Sequence, residues 1–312
     1  MPHYSIRLKW LGSALNKIRR EAGLTIEAAA ERLHWPQSKI SRIENGMIRA
    51  HWGDIQDLLD LYAFDDPDQR KALIALAKSA RERGWWHSYG ANLAHPFADL
   101  LSLETTSKEI WSYENQVIPG LLQTKEYALA MVGGSRAWER REDVEKFVQI
   151  RTARQSVLTR SDPLNLWVVL GEAALRQMVG GPTVMHDQLR HLLTLAELPN
   201  LTIQVLPFSA GASTGMFGPF EVLEFPGPGV TEVVYLENLL GGLYLENETE
   251  VHRYRLAFQH LRASALPEAD SLKMITMIAE EMSSDRPSAD GQKPGQYVPD
   301  SVAQEQPQRR HR

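Results

Sequence analysis

Apolar positions fall into two regimes along the chain. Between residues 11 and 62 they recur three and four apart. Leu11, Leu15, Ile18 and Ala22 form one set, Ala29, Ala30 and Leu33 a second, Ile40 and Ile43 a third, and Ile55, Leu58, Leu59 and Tyr62 a fourth. That spacing places each set on one face of a helix and predicts four short amphipathic helices in a row. A fifth runs over about 69–83, after the break at Asp65–Asp68 with its Pro67. The punctuation agrees. Gly23 follows the first helix, Thr25 suits the N-cap of the second, Gln37 or Ser38 opens the third, and Gly46 stops it.

Beyond about residue 99 the pattern is mixed. Helical spacing covers about 99–115, 122–132, 138–159, 171–179, 185–197, 248–265 and 268–282. Alternating or continuous apolar runs over 164–170, 201–207, 219–225 and 230–237, with a short one at 242–246, predict strands. From Ser283 on the chain is rich in Ser, Pro, Gly and Gln and cannot bury enough apolar surface to offset its ordering entropy. The expectation is a multidomain protein: an all-α helix-turn-helix bundle over 1–83, a linker over 84–98, an α+β domain over 99–282 and a disordered tail over 283–312. In the linker, GWWHSYG clusters Trp85, Trp86 and Tyr89. These rings either pack the hinge against one domain or form a ligand or partner patch.

The third helix carries the chemistry. Ile40 and Ile43 share one face; Gln37, Ser38, Ser41, Arg42 and Asn45 lie largely on the other, with Lys39 at its border. Such a face can donate hydrogen bonds to base edges and phosphates. Charge agrees with that reading. Residues 1–52 hold nine Lys/Arg against four Asp/Glu, a net +5 on a chain whose total is −5, so the remainder carries about −10. A basic head on an acidic body is the electrostatic footprint of a DNA-binding module.

Residues 11 to about 64, with the run R…GLT…A…L…S…ISRIENG, resemble the Xre/Cro-repressor helix-turn-helix family. The resemblance implies a bundle of four or five helices in which residues 37–45 form the recognition helix. It places Gln37, Ser38 and Arg42 over base edges and Lys39 near the backbone or bases, and it pairs Arg19 with Glu44 in a salt bridge between the first helix and the recognition helix. With Thr25, Ser41 and Asn45 these make the DNA-facing set. Two positions depart from the family pattern: His34 stands where the turn usually carries Gly, and Ile26 where a phosphate-contacting Gln is common.

The second block, with EIWSYENQVIPGLLQTKEYALAMV over 109–132 and the later GEAALRQMVGG, LTIQVLPF, GPFEVLEF and VVYLEN, resembles a domain of unknown function. That domain follows Xre-type heads in many actinomycete regulators described as antitoxin-like. The resemblance implies a bacterial regulator, often encoded beside a small acidic partner protein. It supplies no ligand or catalytic residue. The PGLLQT segment itself reads as a bend feeding a helix, with Gln123 or Thr124 as a cap. It is either a structural corner or a wall of a pocket or partner surface.

Other features narrow the function. The chain of 312 residues has no cysteine, which removes disulfides, thiolate metal sites and cysteine nucleophiles and fits a reducing cytoplasm. The N-terminus has no signal-peptide pattern and no apolar run reaches 18 residues. His186, His191, His252 and His260 lack metal-ligand spacing, and nucleophile-elbow, Walker and dinucleotide motifs are missing. No catalytic residue, cofactor or metal is expected. Glu104, Glu109 and Glu114 recur every five residues and read as solvated surface; Trp111, Tyr113, Trp167, Phe217, Phe220 and Tyr235 read as core. The leading expectation is a cytoplasmic homodimeric repressor that reads double-stranded DNA and is modulated through its second domain by a partner protein or ligand. The alternative is an antitoxin-like interaction protein that neutralises a small co-encoded partner and uses DNA binding for autoregulation.

Overall fold

The protein is described by a computed structural model that covers residues 6–80, 85–89, 95–134, 141–226, 231–238 and 241–284. Five helices come first: α1 (Ile6–Glu21), α2 (Ile26–Leu33), α3 (Gln37–Glu44), α4 (Trp52–Leu61) and α5 (Pro67–Ser79). Their apolar stripes meet in one core, in which Leu15, Ala29, Ile40, Ile55, Leu58 and Leu59 are fully buried. The caps follow the local sequence. Thr25 Oγ1 accepts from the Ala28 N–H at the start of α2, and Asp66 accepts from two N–H groups at the start of α5, where Pro67 occupies the first turn.

The rest is an α+β domain. A 3-10 turn over Trp85–Tyr89 leads to α6 (His95–Thr106), β1 (Glu109–Glu114), a second 3-10 turn (Gly120–Leu122), α7 (Lys125–Gly134), α8 (Arg141–Ala153) and a third turn (Arg154–Leu158). Then come β2 (Asn165–Gly171), α9 (Glu172–Arg176), α10 (Pro182–Leu195), β3 (Leu201–Leu206), β4 (Phe220–Glu224), β5 (Glu232–Asn238), β6 (Gly241–Leu245), α11 (Glu248–Ser264) and α12 (Glu268–Ser284). The strands form one sheet in the order β3-β2-β1-β4-β5-β6, with β1, β2 and β3 parallel and the others antiparallel. One face carries Ile110, Val168, Ile203, Leu223 and Val233 into a core with Leu101, Leu189 and Ile278 from α6, α10 and α12. The other face carries Tyr113, Val169, Phe220 and Val234 against Phe258 and Leu261 of α11. Trp85 and Trp86 meet edge to face at 5.9 Å, and Trp86 is buried in the first of these cores, so these rings pack against the second domain.

The helix α1 is shared. Leu11, Leu15 and Ile18 belong to the helical head, whereas Ile6 and Trp10 belong to the core of the second domain. Trp10 meets Phe225 edge to face at 5.1 Å, and Arg7 donates to Thr106 Oγ1 at 3.0 Å and to the Ser102 carbonyl on α6. One helix thus couples the head mechanically to the body behind it.

Three expectations need correction. Residues 109–114 are a central strand, not the end of a helix; Ile110 and Ser112 alternate with Trp111 and Tyr113 across the sheet. The period of two was masked because Ser112 and Glu114 are polar yet point to the covered face. Nor are Glu104, Glu109 and Glu114 a solvated surface: Glu104 is 1% exposed, Glu114 is half-buried and Glu109 accepts from Trp111 Nε1. Phe217 is not core but 94% exposed, in a 3-10 turn over Thr214–Phe217. The expected tail over 283–312 lies, from residue 285 on, outside the described residues.

Candidate nucleic-acid interface

A helix that reads DNA must be held rigidly on one face and left bare on the other. On the inner face of α3, Ile40 and Ile43 are buried. Glu44, at its last turn, is also buried and receives two of the three guanidinium nitrogens of Arg19 from α1: Nε to Oε1 at 2.7 Å and Nη2 to Oε2 at 2.8 Å. Asn16 Nδ2 reaches Glu44 Oε2 at 2.7 Å, and the Tyr62 hydroxyl approaches Oε1 at 3.4 Å. The remaining Arg19 arm caps the Leu24 carbonyl at 2.7 Å. Every polar atom of this pair therefore has a partner, the condition under which a buried charge is tolerated. Its hydrogen bond to Glu44 holds the Arg19 guanidinium above its ordinary pKa, and burial followed by the Glu44 charge pushes the Tyr62 phenol up.

Close approach of α1 and α3 completes the mount. A Cβ on Gly12 would lie 2.4 Å from the Glu44 carbonyl oxygen and 2.7 Å from that of Ile43, so α1 crosses α3 backbone to backbone. The α2–α3 turn closes through His34 at φ 53°, whose N–H bonds the Glu31 carbonyl in the left-handed conformation that favours Gly.

The outer face presents the remaining residues in distinct states. Gln37, Ser38 and Arg42 are exposed, and their side chains make no hydrogen bond among the described residues; Ser38 and Arg42, four apart, share one stripe. Ser41 is half-buried, and Asn45 is exposed but turns back on its own helix, donating to the Ser41 carbonyl at 2.7 Å and to Ser41 Oγ at 3.3 Å. Thr25 is exposed; its oxygen serves the α2 cap, which leaves its hydroxyl proton for an outside acceptor. Lys39 differs most from expectation. Its ammonium lies 2.8 Å from Asp54 Oδ1 and 3.5 Å from the centroid of the Trp35 ring, so it ties α3 to α4 instead of facing outward.

Asn16, Asp54, Trp35 and Gly12 were not singled out from the sequence, and Tyr62 only as an apolar position of α4, not as a partner of Glu44. A signal existed for Asn16, which lies three residues before Arg19 on the same face of α1. None existed for Asp54 or Gly12, whose roles depend on how helices cross.

Comparison with known families places this geometry. Residues 10–73 match the family described as a helix-turn-helix domain, and residues 97–277 match the family described as a domain of unknown function, DUF5753. No curated protein and no solved structure matches the chain. Helix-turn-helix domains are DNA-binding modules, and α1–α5 span the matched segment.

Proposed function

Because the chain belongs to the DUF5753 family and carries a helix-turn-helix domain ahead of it, we propose that it is a sequence-specific DNA-binding transcriptional regulator of the Xre type that acts as a repressor. The observation that carries this reading is the division of α3: a buried face clamped by Arg19–Glu44, and an outer face on which the side chains of Gln37, Ser38 and Arg42 stand exposed without a hydrogen bond among the described residues. Seated in a major groove, Arg42 has the fork geometry for a guanine edge, and Gln37 and Ser38, at the N-terminal end of α3, reach the neighbouring base edges. Thr25 and Ser41 donate to phosphate oxygens. Lys39 and Asn45 act indirectly, by fixing the pose of α3.

Two copies would place their heads about one helical turn, ~34–36 Å, apart on a pseudo-palindrome. Modulation through the second domain has a physical route in α1, whose first turns lie in the core of that domain while its later turns hold α3. One observation favours a second reading, an antitoxin-like protein that captures a small partner. Phe208, Met216 and Phe217 stand 64%, 74% and 94% exposed on the second domain within ten residues of one another, and a contiguous apolar patch is what a partner surface requires.

The test of the first reading is selection of random duplex DNA by the full-length protein at about 150 mM salt, where nonspecific phosphate binding is already weakened. Enrichment of a two-fold symmetric site is expected. A bound pool indistinguishable from the input sinks the reading.

A further inference from the structure

The loop between β3 and β4 holds apolar side chains out to solvent from a fixed base. Residues 207–219 leave the carboxyl end of β3 and return to β4. Phe208, Met216 and Phe217 lie on this loop and are among the most exposed large apolar residues of the described chain. Gly215, by contrast, is buried, and a Cβ there would lie 2.2 Å from the Tyr113 hydroxyl oxygen, so bare backbone rests on that ring. Asn115 Nδ2 donates to the Gly215 carbonyl at 3.3 Å, Thr214 Oγ1 donates to the Ala257 carbonyl at 3.4 Å, and the Phe208 N–H donates to Glu172 Oε2 at 2.9 Å. With Gly215 held down, Met216 and Phe217 after it stand outward.

The sheet brings both apolar ends of the loop to one place. β1, β2 and β3 are parallel neighbours, so their carboxyl ends share one edge of the sheet. Leu206 pairs with Gly171, and a Cβ on Gly171 would lie 3.1 Å from the Asn115 Cα. With neighbouring strands about 4.8 Å apart, Leu206 and Asn115 are separated by about 10 Å. Phe208 follows the first of these residues closely, and Gly215 is bonded to the second. The helix α11 borders the same place: Leu256, 42% exposed, precedes the Ala257 whose carbonyl holds Thr214.

Area and charge decide what covers these side chains. A whole aromatic side chain presents about 150–250 Å². At their exposures Phe208, Phe217 and the similarly sized Met216 offer about 450 Å² per copy. Two copies meeting through this loop would bury about 900 Å² from these residues, and Leu256 carries the area past the ~1,000 Å² that a biological interface must clear. Residues 201–220 hold no Asp, Glu, Lys, Arg or His, whereas the chain beyond residue 52 carries a net charge of about −10. Two identical acidic bodies repel wherever their charged surfaces meet. A two-fold contact sets one patch against its own copy, so it needs an apolar, uncharged surface, and this loop supplies it. A different protein would be selected through complementary charge, which the loop does not offer.

We propose that the chain forms a two-fold symmetric homodimer through the β3–β4 loop, with Phe208, Met216 and Phe217 of each copy packed against those of the other. The fixed base lowers the cost of the contact, because the loop does not have to find its shape on association. Two heads joined in this way suit the pseudo-palindrome of the proposed function, and in that use the dimer rests on that reading. The contact itself needs no DNA.

The experiment is sedimentation equilibrium of the full-length protein without DNA, from ~1 to ~100 μM, a range that brackets micromolar association. Because no DNA is present, the outcome is independent of base reading by α3. A mass that approaches twice 35.3 kDa is expected for the wild type. Phe217→Asp and Met216→Asp should each raise the dissociation constant at least about tenfold, as loss of a central apolar anchor does. Both side chains are exposed, so the far-ultraviolet circular dichroism of these variants should match that of the wild type. Met47→Asp, at an exposed apolar position on the head, should leave the dimer intact. The chain has no cysteine, so Phe217→Cys introduces a single thiol that a short bismaleimide should link to its copy. A monomer across the whole range, as a surface kept for a different protein would give, overturns the proposal. So does a dimer that both loop variants leave intact, or one that Met47→Asp weakens as much as Phe217→Asp.

Discussion

Glu44→Ala is expected to destabilise the helical head by about 3–5 kcal/mol, the cost of stranding one member of a buried ion pair. The side chain is almost wholly buried and satisfies Arg19, Asn16 and Tyr62 together. Removing it leaves a guanidinium that cannot lose its proton, buried against apolar neighbours in a head with few residues to share the loss. That cost is a large part of the stability of a domain this size. Amide hydrogen exchange on the full-length protein checks it: protection across residues 6–61 should collapse toward that of an unfolded segment, while β1–β5 keep theirs. Unaltered protection in α3 would show that the pair is dispensable.

Gly12→Val should be nearly as damaging, for a steric reason. The new Cβ would stand 2.4 Å from the Glu44 carbonyl oxygen and within 2.7 Å of that of Ile43, and these are backbone atoms that cannot rotate away. Replacing Gly inside α1 improves helix propensity by at most about 1 kcal/mol. Prying α1 off α3 loosens the packing of Leu15, Ile40 and Ile43, an overpacking penalty of about 1–3 kcal/mol or more. The clash should win. A melting temperature several degrees below wild type is expected, roughly 2–4 °C per kcal/mol for a protein of this length. A variant as stable as wild type would mean that α1 and α3 do not cross this closely in solution.

These two residues mark where the sequence was legible. The apolar period, the Thr25 cap, the glycine stops and the family run were enough to lay out α1–α4 in order and to pick the outward face of α3. Those are local signals, carried within a few residues. Asp54, which draws Lys39 away from the outer face, and Gly12, which lets α1 touch α3, act between helices, and nothing within a single helix encodes the partner. In the second domain β2, β3, β4 and β5 were visible as apolar or alternating runs. β1 was not, because Ser112 and Glu114 occupy its covered face and glutamates favour helical patterns. The buried cluster of Glu104, Arg154 and Glu221 was hidden by the same fact. A glutamate reads as solvated unless the partners that bury it are known, and here they come from α6, β4, β5 and the segment after α8. PGLLQT reads as a bend from its own residues; that Gly120 makes room for Arg154 depends on the turn after α8, distant in sequence.

The claim that α3 reads base sequence rests most directly on Arg42. The measurement is equilibrium binding of wild-type and Arg42→Ala protein to the selected duplex and to a scrambled duplex of the same length and composition, at one salt concentration. A loss of about 1–3 kcal/mol on the selected site, with affinity for the scrambled duplex little changed and base preference relaxed at one position, is the predicted result. An equal loss on both duplexes would reduce Arg42 to a phosphate contact and contradict base reading by this helix.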